Sequence, residues 1–401
     1  MKNMGNTLIL TCRKLIFIIS VILFICPDTL IAATEIPLYV LVTIDTETSS
    51  GCHGTACNPV PISDRIFGRR GGKEYGIPLI MDLLEKHGMK GVFFVNSTLD
   101  SYYPEVDIRE MVQSIVRRGH DVELHIHPEF RCFKYCDEDD LKCRRRCTKG
   151  DNRLAGNNVA QQKLLIDEGL VNLERWAGYR PQAFRAGSFS ADENTLDALR
   201  QAGVALDSSD SGPHHPLSRK YPINQVSMDD GLLEIPIYNF MTFQVTDYQQ
   251  YRRFDLESNT FLELKSVLQQ AIEHKAGTVM TIMHSFSFCR PETDCPNTRA
   301  IQNFDHLLGW IANNQSIRVV TIPEWLQYYS GSPEWVSGSG YVPTTGFGLT
   351  LWRAWRRWDE GPKNKLLIIT SGAIFLLVLG TVLILLRSIF SGRFKMQTHR
   401  N

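Results

Sequence analysis

The run GHDVELHIHPE at residues 119–129 restricts the fold more than any other stretch of this 401-residue chain. Val122, Leu124 and Ile126 alternate with Glu123, His125 and His127. Successive side chains of a strand point to opposite faces, so the carboxylate and both imidazoles share one face and the aliphatic groups the other. Pro128 ends the strand. Two histidines at a strand end offer neutral nitrogen ligands to zinc or a similar divalent ion, and Glu129 adds a hard oxygen. The same residues also read as two satisfied buried histidines, so the rest of the chain has to decide.

On either side of this strand the pattern alternates. Apolar runs at 38–44, 90–95, 182–185, 204–207, 232–237, 278–283 and 317–322 read as strands. Helical periodicity fills 73–87, 107–118, 159–176, 260–275 and 297–314. A further helix runs to about residue 202, opened by Ser190-Ala191-Asp192-Glu193 as a capping box. About seven strands with intervening helices predict an α/β fold with a parallel sheet, closed or nearly closed into a barrel over 37–330. No Gly-rich phosphate loop follows the first strand. Lys plus Arg and Asp plus Glu are equal at 43 each, so no global field argues for nucleic acid.

Lys2, Arg13 and Lys14 precede an apolar run at 15–25 and the small pair Ala32-Ala33, the layout of a signal peptide or signal anchor over 1–33. Residues 331–365 read as a Gly/Ser/Pro-rich linker and a juxtamembrane segment in which Trp352, Trp355 and Trp358 interleave with arginines. Residues 366–386 carry no charge and predict a C-terminal transmembrane helix, with a cytoplasmic tail at 387–401 and the folded domain on the periplasmic or extracellular face. Export predicts disulfides within the groups Cys52 and Cys57; Cys132, Cys136, Cys143 and Cys147; and Cys289 and Cys295. The second group lies in a Cys-rich insertion at 130–150. It also suits a four-thiolate zinc site, and the nested pairing Cys132 with Cys147 and Cys136 with Cys143 is expected, although connectivity is not fixed by sequence.

Chemistry in such a barrel sits at the C-terminal ends of the strands. Those ends carry Asp45 and Glu47; His125, His127 and Glu129; Arg185; and His284. In this order, TIDTE, GHDVELHIHPE, FRAGSFSADENTLDALRQAGV and IMHS resemble the polysaccharide deacetylases of carbohydrate esterase family four, the NodB-homology domain, across about 37–330. The resemblance implies a distorted (β/α)7 barrel in which a divalent metal, zinc in the first place, polarises an N-acetyl carbonyl and its attacking water. It implies Asp45 as catalytic base, Glu47 as the acid on the metal, His125 as its first histidine, Arg185 as the group orienting the base, and His284 as the acid that protonates the leaving amine. Two departures stand out. The family's first motif has adjacent aspartates, whereas these carboxylates are two apart. Its histidines are four apart, so here His127 or Glu129 takes the third ligand place.

The expected activity is hydrolysis of N-acetyl groups on a cell-surface or secreted glycan by a membrane-tethered enzyme, with no nucleic-acid partner and protein partners unknown. The alternatives are a catalytically weak carbohydrate-binding or scaffolding protein of a glycan-export system, and a related C–N hydrolase of a small molecule. His214 and His215 read as solvated.

Overall fold

The first apolar run forms two collinear strands, β1 (Leu38–Leu41) and β2 (Thr43–Thr46), buried at every position. Beside β2 lie β3 (Val92–Asn96), β4 (Asp121–Ile126), β5 (Ala183–Ala186), β6 (Leu206–Asp207) and β7 (Leu232–Glu234), each parallel to its neighbour. An antiparallel hairpin, β8 (Asn239–Val245) and β9 (Tyr248–Arg253), is inserted next. β10 (Thr278–Met280) and β11 (Met283–His284) then run parallel to β1 and β2. A parallel bridge from Ile237 to Met280 joins the β7 side to β10, so the sheet curls back on itself. β12 (Ile317–Val319) adds a second parallel partner to β1. This α/β fold with its curled sheet fits the expected (β/α)7 barrel.

The computed structural model describes residues 36–356 apart from 50–51, 54–55, 58, 138–139, 150–152, 214, 246–247 and 291–294, together with Ile369–Thr370. From Pro37 onward the chain forms one compact unit.

Period-two alternation splits the apolar residues into two layers. Ile44, Phe93, Val95, Leu124 and Ile126 belong to the layer beneath the helices, while Tyr39, Leu41, Val92, Phe94, Ala183 and Leu206 pack together on the other face. The register continues that inner face upward: Asp45 pairs with Phe94 and Phe94 with Glu123, then Asn96 pairs with His125 and His125 with Arg185. Polar groups therefore follow the apolar floor at the C-terminal ends of the strands.

The crossover helices include α1 (Ile77–Lys86), α2 (Glu105–Arg117), α3 (Glu129–Phe133), α4 (Leu141–Lys149), α5 (Val159–Ala177), α6 (Glu193–Ala202), α7 (Phe261–Glu273), α8 (Thr298–Ala312) and α9 (Ile322–Gly331). Their starts are chemically marked. Asn158 with Gln161 opens α5 and Thr260 with Glu263 opens α7, each as a reciprocal capping box. At α6 the cap is Asp192, whose carboxylate accepts from the Thr195 backbone amide, and not Ser190. Ser190 instead closes the tight turn Gly187–Phe189, which moves the helix start two residues along.

The nested disulfides Cys132–Cys147 and Cys136–Cys143 are present, as is Cys289–Cys295. Cys52 and Cys57 face one another across a two-stranded ladder; their side chains lie outside the described part. The strand expected over 278–283 is divided because Thr281 turns its hydroxyl and carbonyl to Thr43. The stretch expected as a linker packs onto the fold. Val336 is buried and its carbonyl accepts from the Thr278 hydroxyl, and Arg353 forms a buried ion pair with Glu263 of α7 at 2.5 Å.

The expected membrane topology is corrected. Among the described residues no helix is long and apolar enough to cross a membrane. The helix Gly346–Arg356, read in sequence as an interfacial turn, has 11 residues and spans about 16 Å, half of a hydrocarbon core. The leader at 1–33, the tail at 387–401 and the apolar run at 366–386, apart from Ile369–Thr370, lie outside the described residues.

Candidate active site

Four strand ends deliver the polar groups. β2 carries Asp45 and is followed by Glu47, β4 ends in His125 with His127 just beyond, β5 carries Arg185, and β11 ends in His284. One ligand atom from each of Glu47, His125 and His127 lies within 4.8 Å of the other two. Glu47 Oε2 is 3.1 Å from His125 Nε2 and 2.5 Å from His127 Nε2.

The donor set decides how this cluster is charged. His125 Nδ1 donates to the Arg185 carbonyl at 2.8 Å. A neutral ring thereby turns the Nε2 lone pair toward the Glu47 carboxylate, which only a cation or a second ring proton between them makes favourable. Three protein donors of the His2Glu type, with the ring tautomer fixed from behind, suit a divalent ion with open coordination positions. Burial alone would raise the Glu47 carboxyl, but with a second proton on the rings the His127 charge and hydrogen bonds from both rings outweigh it and hold the group well below the usual carboxylate range.

Glu129 is not in the cluster. Pro128 stops the strand in the helical region of backbone space, and the chain turns directly into α3 with Glu129 as its first residue. Of the two residues open for the third ligand place, His127 is the one beside Glu47 and His125.

Asp45 and Arg185 form a separate buried pair. Arg185 is fully buried and donates from Nη1 to Asp45 Oδ1 at 2.6 Å and to Thr43 Oγ1 at 2.9 Å. Its Nε and Nη2 donate to the carbonyl and hydroxyl of Ser208 at 3.2 and 3.1 Å, and its plane lies 4.1 Å from the Phe94 ring centre. A buried guanidinium is tolerable only when its donors are used in this way. The pair fixes Asp45 Oδ1 and leaves Oδ2 for other chemistry.

His284 stands at the rim, 31% exposed, with Nε2 4.0 Å from Glu47 Oε1 and Nδ1 3.7 Å from Glu257 Oε2. Its ring stacks on Phe286 at 4.8 Å.

Several supporting residues were not legible in the sequence. The Ser285 hydroxyl donates to the Glu47 carbonyl at 3.0 Å and accepts from its amide at 3.3 Å, and the Ser285 amide donates to the Asp45 carbonyl at 2.9 Å. Asn96 Oδ1 accepts from the His127 amide at 3.2 Å, and the Thr98 hydroxyl donates to the His127 carbonyl at 2.6 Å. A Cβ on Gly187 would stand 2.6 Å from the His127 ring, so only glycine admits that ring. The available signal was position: Ser285 and Gly187 follow strand ends directly. Behind Arg185, the Ser209 hydroxyl accepts from the Ala186 amide at 2.9 Å and donates to Asp207 Oδ1 at 2.6 Å. Burial pushes the Asp207 carboxyl up to about 6. Its neighbour Glu234 is raised well above the ordinary value by burial and then by the Asp207 charge. His215, read as solvated, is half-buried, with Nε2 donating to the Phe189 carbonyl at 2.5 Å; His214 lies outside the described residues.

Residues 72–206 match the polysaccharide deacetylase family model. Hydrolysis of N-acetyl amide bonds is the chemistry of that family, and the enzyme class read from the sequence agrees with it. A peptidoglycan deacetylase-like protein of Gibberella zeae is 27% identical over 177 residues, 43% of this chain and 44% of that protein. The match thus spans less than half of the relative's length. Among solved structures, a putative polysaccharide deacetylase from Mycobacterium smegmatis is 17% identical at a TM-score of 0.47, covering 75% of this chain and 93% of that one. A family four carbohydrate esterase from Streptomyces lividans is 12% identical at a TM-score of 0.36, covering 76% and 97%.

Proposed function

We propose that this chain is a metal-dependent hydrolase that removes N-acetyl groups from a polysaccharide, with Glu47, His125 and His127 holding a divalent ion, zinc in the first place. The Glu47, His125 and His127 cluster beside the Asp45–Arg185 pair carries this reading. When bound, the ion polarises the amide carbonyl and lowers the pKa of water. The chain supplies the proton transfers. Asp45, held by Arg185 through Oδ1, takes a proton from the attacking water on Oδ2. His284, at the rim, gives a proton to the amine nitrogen as its bond to the acyl carbon breaks, leaving acetate and a free amine. Arg185 is a positioning residue and touches no reacting atom.

Acetate release from an N-acetylglucosamine oligomer tests the proposal. Chelation should abolish release and added zinc should restore it, with about one ion recovered per chain. Release that survives complete metal removal would refute the metal dependence.

A further inference from the structure

The disulfide-bound insertion leaves the chain from the strand end that carries His125 and His127. Its second helix, α4, reads LKCRRRCTK and holds five cations and no acid. Helical spacing puts Lys142, Arg145 and Arg146 on one face at i, i+3 and i+4, and all three are exposed. Cys143 and Cys147 occupy another face and tie the helix back to Cys136 and Cys132. Arg144 is buried, with Nε donating to the Asp137 carbonyl at 3.2 Å.

Like charges at these spacings oppose the helix. Two covalent links hold this cationic face together. Four consecutive acids, residues 137–140, precede the helix in the chain; of these Asp140 accepts from the Cys143 amide at 2.9 Å, so it serves as a cap at the positive end of the helix dipole, ahead of the face that carries Lys142, Arg145 and Arg146. The helix also packs against the ladder Cys52–His53 and Ala56–Cys57, which follows Glu47 closely in the chain. Both anchors of the insertion therefore rise from the strand ends that carry Glu47 and His127. At the same mouth the Arg65 guanidinium lies 4.0 Å from the Phe286 ring, which stacks on His284.

We infer that α4 is a binding rail for a polysaccharide bearing anionic groups, carboxylate or sulfate, whose chain extends from the catalytic cleft across Lys142, Arg145 and Arg146. A glycan is favoured over other polyanions because the rail adjoins the acetyl-removing site; in naming the substrate class, the inference rests on the function proposed above.

The test compares the wild-type chain with the triple variant K142A/R145A/R146A. Affinity is measured for polygalacturonate, dextran sulfate, neutral dextran and single-stranded DNA, at low and high salt. The variant should lose about tenfold or more in affinity for one or both anionic glycans at low salt, with a flatter salt dependence. Polygalacturonate or dextran sulfate as the more affected polymer identifies carboxylate or sulfate as the group bound. The disulfide map and acetate release from an uncharged N-acetylglucosamine oligomer should stay as in wild type. Unchanged affinity, an equal loss for neutral dextran, or tighter binding of DNA than of either anionic glycan would overturn the rail. Absence of acetate release from the wild-type chain would overturn the proposed function instead, while the affinity measurements still judge the rail.

Discussion

At the residue scale, the two carboxylates of the first motif sit two positions apart, yet they meet different partners. Asp45 is bound to Arg185, whereas Glu47 faces both histidines. A ligand acts mainly on metal affinity, while a general base acts only when a proton moves. Asp45→Asn should therefore keep the metal and lower turnover by about a hundredfold or more, and Glu47→Gln should lose metal first. Elemental analysis alongside acetate release separates them; metal lost on Asp45→Asn and kept on Glu47→Gln would reverse the two roles. Gly187→Ala tests the support behind the site. The new methyl would overlap the His127 ring and push it from Glu47, so metal affinity should fall by about tenfold or more, the range seen when supporting contacts of a ligand are disturbed. Competition with a calibrated chelator reads this directly, and an unchanged affinity would mean that the ring can yield without cost.

At the element scale, the strands and helices were legible wherever one face of a segment was apolar. Strand β4 and helices α1, α5, α7 and α8 follow the expected order with ends shifted by a few residues, because alternation and periodicity mark burial and not termini. The Ser190 capping box was misplaced because sequence shows a capable hydroxyl but not whether the preceding turn has already used that residue. The β8–β9 hairpin and the split between β10 and β11 were invisible for another reason. The hairpin's exposed strand, Tyr248–Arg253, has little apolar alternation, and the split depends on a Thr43–Thr281 contact 238 residues apart in sequence. Glu129 was a reasonable ligand by residue type, and only the turn at Pro128 removes it. The insertion gives the prediction at this scale. Closing a loop of 15 residues between Cys132 and Cys147 is worth about 3 kcal/mol. Cys132→Ser with Cys147→Ser should thus loosen α3 and α4, seen as faster proteolysis between residues 134 and 146. Full protection against protease would show that packing of Phe130 and Phe133 suffices to hold the insertion.

At the scale of the whole molecule, the barrel keeps acidic groups in its interior that the proposed chemistry does not use, and they make its stability depend on pH. Burial raises Asp207 to about 6 and Asp121 to about 6, and holds the Glu123 and Glu234 carboxyls well above their ordinary value. Each of these groups binds its proton more tightly in the folded chain than in the unfolded one. The folded state therefore holds more protons between the ordinary carboxyl value and the raised one, and stability falls as pH rises across that interval. The contribution is fully present below about 4 and is lost as pH passes through about 6. Glu47 runs the other way. Its carboxyl is depressed, so its contribution is present at neutral pH and disappears only in acid. Replacing Asp207 with Asn removes one raised carboxyl while leaving the Ser209 hydroxyl an oxygen acceptor at that position. Denaturant unfolding of Asp207→Asn and wild type at pH 5 and pH 8 should show the variant losing less stability on going to the higher pH, by an amount on the order of 1–3 kcal/mol. An identical pH dependence in both proteins would mean that Asp207 titrates as an ordinary carboxyl.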